Sequence, residues 1–362
     1  MPTLFDPIQL GAIVAPNRIV MAPLTRGRAT KAHVPTELMI DYYRQRASAG
    51  LIITEATGIS QEGLGWPYAP GLWTDEQVEA WKPVTDAVHD AGGRIVAQLW
   101  HMGRQVHSSV IKTQPVSSSA TASPGQAHTY EGKQNFETAR PLALAEFPRL
   151  IEAYRIAGAN AIRAGFDGVQ LHAANGYLID QFLRDNANLR DDIYGGPIEN
   201  RIRLLGEVAQ ALADVVGADR TGVRLSPNGD SQGVDDSDPV PLFTAAAARL
   251  DQIGIAFLEL REPGPDGTFG RTDVPKISPE IRKVFKGALI LNSDFDGEKS
   301  REALDSGAAD AIAFGRPFIS NPDLPRRLRE GLPLNPDVAA AWYSRGPEGY
   351  TDYPFAEETV AA

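Results

Sequence analysis

The chain of 362 residues contains no cysteine. This absence excludes disulfide bonds, thiolate nucleophiles, cysteine-ligated zinc and iron–sulfur clusters. The sequence also lacks any run of about 18 apolar residues, which argues against a membrane-spanning helix. Its first residues have neither the basic nor the apolar segment of a secretory signal, so we expect a cytoplasmic protein without a membrane partner.

A surplus of positive charge is missing as well. The formal net charge is −11, and the lysines and arginines form no basic block. A protein that binds nucleic acid usually presents such a block, so we predict no nucleic-acid partner. Hydrophobic residues make up 43% of the chain and charged residues 22%, which is typical of a globular protein with a large core.

What the sequence does contain is a regular alternation of short apolar runs and amphipathic stretches. The runs have the length and composition of parallel strands that are buried on both faces. They cover residues 19–24, 51–56, 94–100, 168–171, 221–225, 256–260, 288–292 and 311–314. Strand–helix units of this kind, without a repeated half, predict an α/β fold, namely one (β/α)8 TIM barrel over residues 1–362.

Three segments fall outside the repeating units. Residues 1–18 are expected to form a cap over the lower end of the barrel. Residues 101–145 follow the third strand and greatly exceed the median loop length of about 4–6 residues, so we interpret them as a lid over the barrel mouth. Residues 333–362 form a C-terminal extension rich in aromatic side chains.

Polar side chains gather directly after the predicted fourth strand. His172, Asn175 and Tyr177 place an imidazole, an amide and a phenol in the first turn beyond residues 168–171. Because residues that follow barrel strands face the active site, these groups can bind a polar atom and supply a proton beside it. An isolated His-x-x-Asn more often only fixes a loop, so this interpretation depends on residues elsewhere.

Other strand ends carry polar residues too. Thr25 follows the first predicted strand, Gln98 lies near the end of the third, and Arg224 lies inside the fifth. The loops after strands seven and eight occupy the usual phosphate site of such barrels, where Arg316 supplies a countercharge. Together these residues suit a planar, phosphorylated ligand with polar edges.

Five spaced motifs run through the chain. They are Asn-Arg-Ile-Val-Met-Ala-Pro-Leu-Thr-Arg at 17–26, His-Ala-Ala-Asn-Gly-Tyr at 172–177, Tyr-Gly-Gly-Pro-Ile-Glu-Asn-Arg at 194–201, Val-Arg-Leu-Ser-Pro at 223–227, and Phe-Gly-Arg-Pro-Phe-Ile-Ser-Asn-Pro at 314–322. In this order they resemble the Old Yellow Enzyme family of flavin-dependent ene-reductases, over about residues 4–353. Thr25, in a chain without cysteine, is similar to the classical bacterial subclass.

The resemblance implies a noncovalently bound FMN and NADPH or NADH as the reductant. It places Gln98 at the pyrimidine edge of the flavin and Arg224 beside N1 and O2, where a fixed cation stabilises the reduced ring. The full set of residues that it places at the cofactor is Pro23, Leu24, Thr25, Ala56, Gln98, His172, Arg224, Asn292, Ser293, Asp294, Gly315 and Arg316.

The resemblance also implies the reduction of activated C=C bonds in α,β-unsaturated aldehydes, ketones, imides and nitroalkenes. Hydride passes from flavin N5 to the β-carbon, and His172 and Asn175 polarise the activating oxygen. Tyr177 then protonates the α-carbon. The implied walls of the substrate pocket are aromatic: Trp66, Trp100, Phe269 and Tyr343.

Two positions depart from the family pattern. Asn175 stands where some members have a second histidine, but both side chains can donate to an oxyanion. Ser293 and Asp294 stand where many members have two glycines, and the Asp294 carboxylate would repel a phosphate unless it turns away.

Other functions stay open from the sequence. Nitroesters, nitroaromatics or quinones could be reduced at the same site, and a flavin-binding protein without turnover is a further alternative. A metal-dependent barrel hydrolase could use histidines, which are His101, His107, His128 and His172. They lack paired His-x-His spacing and a carboxylate at a strand end, so we predict no metal site. We expect a monomer or a homodimer.

Overall fold

The computed structural model describes residues 2–268 and 270–357, which form a closed barrel of eight parallel strands. In chain order the strands are β1 (Ile19–Met21), β2 (Leu51–Ile53), β3 (Ile95–Trp100), β4 (Gly168–His172), β5 (Thr221–Leu225), β6 (Phe257–Arg261), β7 (Ala288–Asn292) and β8 (Ala311–Phe314). Each strand pairs with its neighbours in the chain, and β8 pairs with β1 to close the ring.

One main helix follows each strand and packs outside the barrel. These helices are α1 (Glu37–Gln45), α2 (Asp75–Asp90), α3 (Phe147–Arg163), α4 (Arg203–Val216), α5 (Pro239–Ile253), α6 (Ser278–Val284), α7 (Gly297–Asp305) and α8 (Leu324–Glu330). The predicted (β/α)8 barrel is therefore confirmed. Within the described residues, we find no helix with the length and apolar character that a membrane crossing requires.

The strands are continuous apolar runs because both of their faces are buried. In β2, Leu51 and Ile53 belong to a cluster that fills the barrel interior. Ile52 points the other way and belongs to the cluster shared with the surrounding helices. Successive side chains of a strand alternate between its faces, so a parallel barrel strand is apolar at most of its positions.

An N-terminal hairpin fills the lower end of the barrel. Its strands, Ile8–Leu10 and Ile13–Ala15, pair antiparallel, and their apolar side chains join the interior cluster. Gly11 at the turn has a φ of +60°, and a Cβ there would lie 2.1 Å from the carbonyl oxygen of Asp219. Only glycine allows this close approach.

The long excursion after β3 has its own secondary structure. It contains the short helix Ser108–Ile111 and an antiparallel hairpin of Gln126–Thr129 with Gly132–Asn135. Arg104 ties its base down, because Nη1 donates to Thr121 Oγ1 at 2.8 Å and Nη2 donates to the carbonyl oxygen of Gly233 at 2.9 Å.

Four strand ends differ from the sequence prediction: β1 and β2 end earlier, whereas β4 and β6 each end one residue later. The first and second predicted strands extended to Leu24 and Ala56, whereas β1 ends at Met21 and β2 at Ile53. Pro23 has no N–H for the sheet ladder, and the N–H of Glu55 donates to the hydroxyl of Tyr43 at 2.9 Å. The chain therefore turns out of the ladder into the barrel mouth.

The fourth predicted strand ended at Leu171, whereas β4 ends at His172. His172 lies opposite Arg224 of β5 in the parallel register. The imidazole is therefore carried by the last residue of a strand rather than by the turn that follows it.

The C-terminal extension is held over the mouth by two buried arginines. Arg28 Nη1 donates to the carbonyl oxygen of Trp342 at 2.6 Å, and Nη2 donates to that of Ala341 at 3.1 Å. Arg26 Nε donates to the same Trp342 oxygen at 3.1 Å. These bonds fix the backbone on either side of Trp342 and so position Tyr343.

Candidate active site

Three aromatic side chains meet at the mouth of the barrel. The ring of Trp100 stacks on that of His172 with centroids 6.2 Å apart, and Tyr177 meets both rings edge-on, at 4.8 Å and 4.9 Å. His172 is buried, and its Nδ1 has no hydrogen-bond partner among the described residues. Burial and the nearby charge of Arg224 hold the pKa of His172 well below its usual value. The imidazole is therefore neutral at neutral pH.

The turn after β4 is built on left-handed residues. Asn175 has a φ of +58° and Gly176 of +76°, which asparagine and glycine adopt more readily than other residues. The N–H of Asn175 donates to Ser226 Oγ at 2.7 Å, and that of Gly176 donates to Asp180 Oδ2 at 2.9 Å. Asn175 Oδ1 accepts from Arg261 Nη1 at 3.3 Å, so the amide N–H groups point the opposite way.

A buried ion pair holds this turn from below. Arg184 Nε lies 3.0 Å from Asp180 Oδ1, and both side chains are fully buried. Arg184 also donates to the carbonyl oxygens of Ser226 and Gly229. Removing one partner of such a pair typically costs about 3–5 kcal/mol, so the geometry of the turn is strongly specified.

The Tyr177 hydroxyl lies at the end of a short polar chain. Burial raises the pKa of Tyr177 to about 12, and a hydrogen bond with the Gln232 side chain opposes the increase. Gln232 Nε2 also donates to the carbonyl oxygen of Asn175 at 2.7 Å. The phenol therefore stays protonated at neutral pH, as a proton donor must.

A cavity of about 190 Å³ opens beside Tyr177, and its lining includes Trp66, His128 and Gln232. The Trp66 ring lies 4.5 Å from that of His128 and 5.3 Å from that of Tyr343. Three distant parts of the chain therefore meet at one wall: the loop after β2, the excursion hairpin and the C-terminal extension.

The residues predicted as aromatic walls of the substrate pocket do not all lie in the same place. Trp66 and Tyr343 lie together at this wall, and Trp100 lies against Tyr177. Phe269 lies outside the described residues. His128 belongs to the wall but was not predicted as a pocket residue, because its approach to Trp66 depends on how the excursion folds back.

A row of buried polar side chains, which we call the polar row, crosses the barrel interior. Gln98 Nε2 donates to Gln170 Oε1 at 2.8 Å, and Gln170 Nε2 donates to Glu259 Oε2 at 2.7 Å. Glu259 Oε1 lies 3.1 Å from Arg224 Nε, an ion-pair contact without hydrogen-bond geometry. Arg224 Nη2 donates to Asn292 Oδ1 at 3.0 Å. Gln98 and Asn292 at the two ends of this row, and Arg224 within it, were predicted from the sequence, whereas Gln170 and Glu259 were not.

The loops after β7 and β8 offer a separate set of donors. Ser293 and Asp294 have φ angles of +110° and +51°. The Asp294 carboxylate accepts from the N–H and hydroxyl of Thr268, so it is engaged by a neighbouring loop. Arg316 is half-buried and has no ion pair among the described residues. Within the described residues, several backbone N–H groups of these two loops donate no hydrogen bond. They include those of Ser293, Asp294, Gly315 and Arg316.

These features fit a planar, phosphorylated cofactor. N–H groups that donate no hydrogen bond form an anion site together with Arg316, whose guanidinium lies over the Trp342 ring and makes no ion pair among the described residues. The polar row offers hydrogen bonds to the edge of a ring, and Leu24 and Ala56 offer apolar contact. In the 2–268 and 270–357 ranges, no three histidine, aspartate or glutamate side chains group as metal ligands would, so the hydrolase alternative has no ligand cluster there.

Known proteins resemble the chain along its length. Residues 3–335 match the NADH:flavin oxidoreductase / NADH oxidase family. The solved structure of an old yellow enzyme homologue from Zymomonas mobilis is 63% identical, with a TM-score of 0.97 over 98% of this chain and 99% of that chain.

Two further relatives match almost the whole chain at lower identity. A structure of morphinone reductase is 44% identical, with a TM-score of 0.95 over 100% of this chain and 98% of that chain. Putative 12-oxophytodienoate reductase 4 from Oryza sativa subsp. japonica is 42% identical over 359 residues, which are 98% of this chain and 93% of the relative.

Proposed function

The chain belongs to the Old Yellow Enzyme family and is an FMN-dependent ene-reductase driven by NAD(P)H, and from this premise we propose roles for its residues. His172 and Asn175 hold the oxygen of a carbonyl or nitro group, and Tyr177 protonates the adjacent carbon. The observation that carries this assignment is a neutral buried imidazole in edge-on contact with a protonated phenol at the barrel mouth, with the Asn175 amide in the turn between them.

His172 and Asn175 act as paired hydrogen-bond donors. When bound, FMN supplies hydride for the β-carbon of the alkene, and negative charge then accumulates on the activating oxygen. Fixed donors in a buried site stabilise that charge without reorganisation. Because His172 is neutral and Asn175 turns its oxygen to Arg261, both side chains can offer an N–H to the substrate.

Tyr177 acts as the general acid. Its pKa of about 12 keeps the proton on the phenol until the α-carbon becomes basic. Gln232, through its hydrogen bond to Tyr177, stabilises the phenolate that results. The hydrogen bond from Gln232 to the Asn175 carbonyl oxygen links Tyr177, the acid, to Asn175, the hydrogen-bond donor, and fixes their relative position.

The cofactor is held by the three regions that carry suitable groups. Gln98 and Arg224 would hold the polar edge of the ring, and Thr25, Pro23, Leu24 and Ala56 would contact its reactive face. The N–H groups after β7 and β8 would hold the phosphate together with the Arg316 side chain. The Asp294 carboxylate accepts hydrogen bonds from the N–H and hydroxyl of Thr268, and these bonds fix its position in a neighbouring loop.

The deciding experiment is an anaerobic visible spectrum of the purified protein. The flavin band is expected to bleach with NADPH and to return when 2-cyclohexenone is added. A colourless protein would contradict FMN binding. A band that bleaches and does not return with 2-cyclohexenone or a nitroalkene would remove the proposed roles of His172, Asn175 and Tyr177.

The pH dependence of alkene reduction tests the protonation states. Tyr177 keeps its proton below about pH 12, and His172 is neutral above its depressed pKa, so the rate is expected to stay flat from pH 7 to about 10.5. A tyrosine with the ordinary pKa of about 10 would leave about a quarter of the rate at pH 10.5. Single-turnover stopped-flow measurements of reduced enzyme with 2-cyclohexenone distinguish the two outcomes.

Two further properties belong to the same proposal. We place the protein in the cytoplasm, where NAD(P)H is produced. A chain without cysteine has no disulfide bond that this reducing compartment could break. We propose a monomer or a homodimer, which light scattering at several protein concentrations resolves. Activated alkenes and NAD(P)H are its small-molecule partners.

A further inference from the structure

The polar row contains one residue that is only an acceptor. Glu259 lies inside β6 with its side chain fully buried, and its neighbours in the row are Gln170 and Arg224. An ionised carboxylate donates no hydrogen bond, whereas an amide can be turned either way. The carboxylate therefore decides how the amides beside it are oriented.

This orientation passes along the row to Gln98. Gln170 must turn its amide nitrogen to Glu259, and so its Oε1 faces Gln98. Gln98 then uses one N–H of its amide for that contact, which turns its Oε1 away from Gln170 and leaves that oxygen free to accept a hydrogen bond from a ligand. The pyrimidine edge of a flavin carries one N–H donor, at N3, which matches an acceptor at this position.

Glu259 also changes the charge that Arg224 presents. The two side chains are buried, and Glu259 Oε1 lies 3.1 Å from Arg224 Nε. At this separation in a buried setting, the carboxylate offsets much of the guanidinium charge. A bound anion next to Arg224 therefore meets a pair that is close to neutral rather than a full cation.

We propose that Glu259 is a positioning residue that fixes the direction of hydrogen bonding at Gln98, and that by partly neutralising Arg224 it lowers the reduction potential of bound FMN. This inference rests on the proposed placement of FMN against Gln98 and Arg224. Under this proposal Glu259, a residue of β6, changes the reduction potential of FMN without contacting it.

The test is the midpoint potential of FMN in purified Glu259→Gln, measured by anaerobic dye equilibration. Loss of the negative charge is expected to strengthen binding of reduced relative to oxidised FMN about tenfold, which for a two-electron couple is about 30 mV upward. Glu259→Asp keeps the charge and is expected to return the potential towards the wild-type value. An unchanged potential in Glu259→Gln overturns the proposal.

Glu262→Gln is the matched control. Glu262 is a second buried acid at the end of β6, but its Oε1 accepts from the N–H groups of Ile277 and Ser278 at the start of α6. Its replacement is expected to leave the potential at the wild-type value. An equal shift in both variants would show that any lost charge suffices, which also overturns the proposal.

Gln170→Leu separates the two effects and serves if Glu259→Gln does not fold. It cuts the relay to Gln98 and retains the pair of Glu259 with Arg224. We expect weaker binding of both oxidised and reduced FMN, by a similar factor, and a wild-type potential. Unchanged FMN affinity would refute the relay. A wild-type protein that binds no FMN would instead refute the proposed function, so the two failures are distinct.

Discussion

Replacing Tyr177 by phenylalanine is expected to slow alkene reduction by about 10²- to 10⁴-fold, the usual contribution of one general acid. The change removes a hydroxyl and keeps the ring that packs against Trp100 and His172. Reduction of bound FMN by NADPH needs no proton from this residue, so its rate should persist. Stopped-flow measurement of the two half-reactions separates these effects.

Tyr343→Phe is the control for this variant. Tyr343 contacts the same cavity wall through Trp66 and His128. Its hydroxyl has no role in the proposed chemistry, so both half-reactions should stay within a few-fold of wild type. Equal rates of alkene reduction in Tyr177→Phe and the wild type would contradict the assignment of Tyr177 as the acid.

Replacing His172 by alanine should lower the rate of alkene reduction by about 10²- to 10³-fold, the loss typical of one oxyanion donor. Binding of a phenol, which presents an oxygen at the same place, should weaken as well. The buried imidazole stacks on Trp100, and its Nδ1 is unpaired among the described residues. Spectral titration of the oxidised flavin with phenols measures the affinity.

His128→Ala is the comparison for His172. It removes an imidazole from the cavity wall, where the His128 ring lies 4.5 Å from that of Trp66 in a tilted contact. Substrate affinity should change there, while the rate at saturation should not. If His172→Ala kept both its phenol affinity and its rate, His172 would not be the oxyanion donor.

The barrel itself was predictable because its strands leave a strong pattern. Side chains such as Leu51, Ile52 and Ile53 are apolar on both faces, and that pattern does not depend on the rest of the fold. The strand ends were harder to predict. They depend on single local features, such as the missing N–H of Pro23 and the hydrogen bond from the Glu55 N–H to the Tyr43 hydroxyl.

The site residues that directly follow a strand were predicted from the sequence. The site residues that only tertiary contacts place at the barrel mouth were missed. His172, Asn175 and Tyr177 were found because barrel geometry places such residues at the mouth. Gln170 and Glu259 lie within strands, where sequence does not tell the interior face from the outer one. Glu259 was nevertheless a signal, because a carboxylate inside an apolar strand requires a partner.

Arg261 and Gln232 were missed for a different reason. Arg261 meets Asn175 across the barrel mouth, and Gln232 reaches it from the loop after β5. Both contacts join parts of the chain that are far apart in sequence. The same reason explains why the Asp294 side chain could not be placed from sequence: Thr268, which binds it, lies in another loop.

The N-terminal hairpin has a kinetic consequence. Its strands Ile8–Leu10 and Ile13–Ala15 fill the lower end of the barrel, so ligands reach the interior from the upper end. Since NAD(P)H and the alkene both approach the proposed FMN site from that end, we expect them to bind there in turn, each leaving before the other enters. Parallel double-reciprocal plots, and inhibition by an excess of either substrate, are the steady-state signature of such alternation.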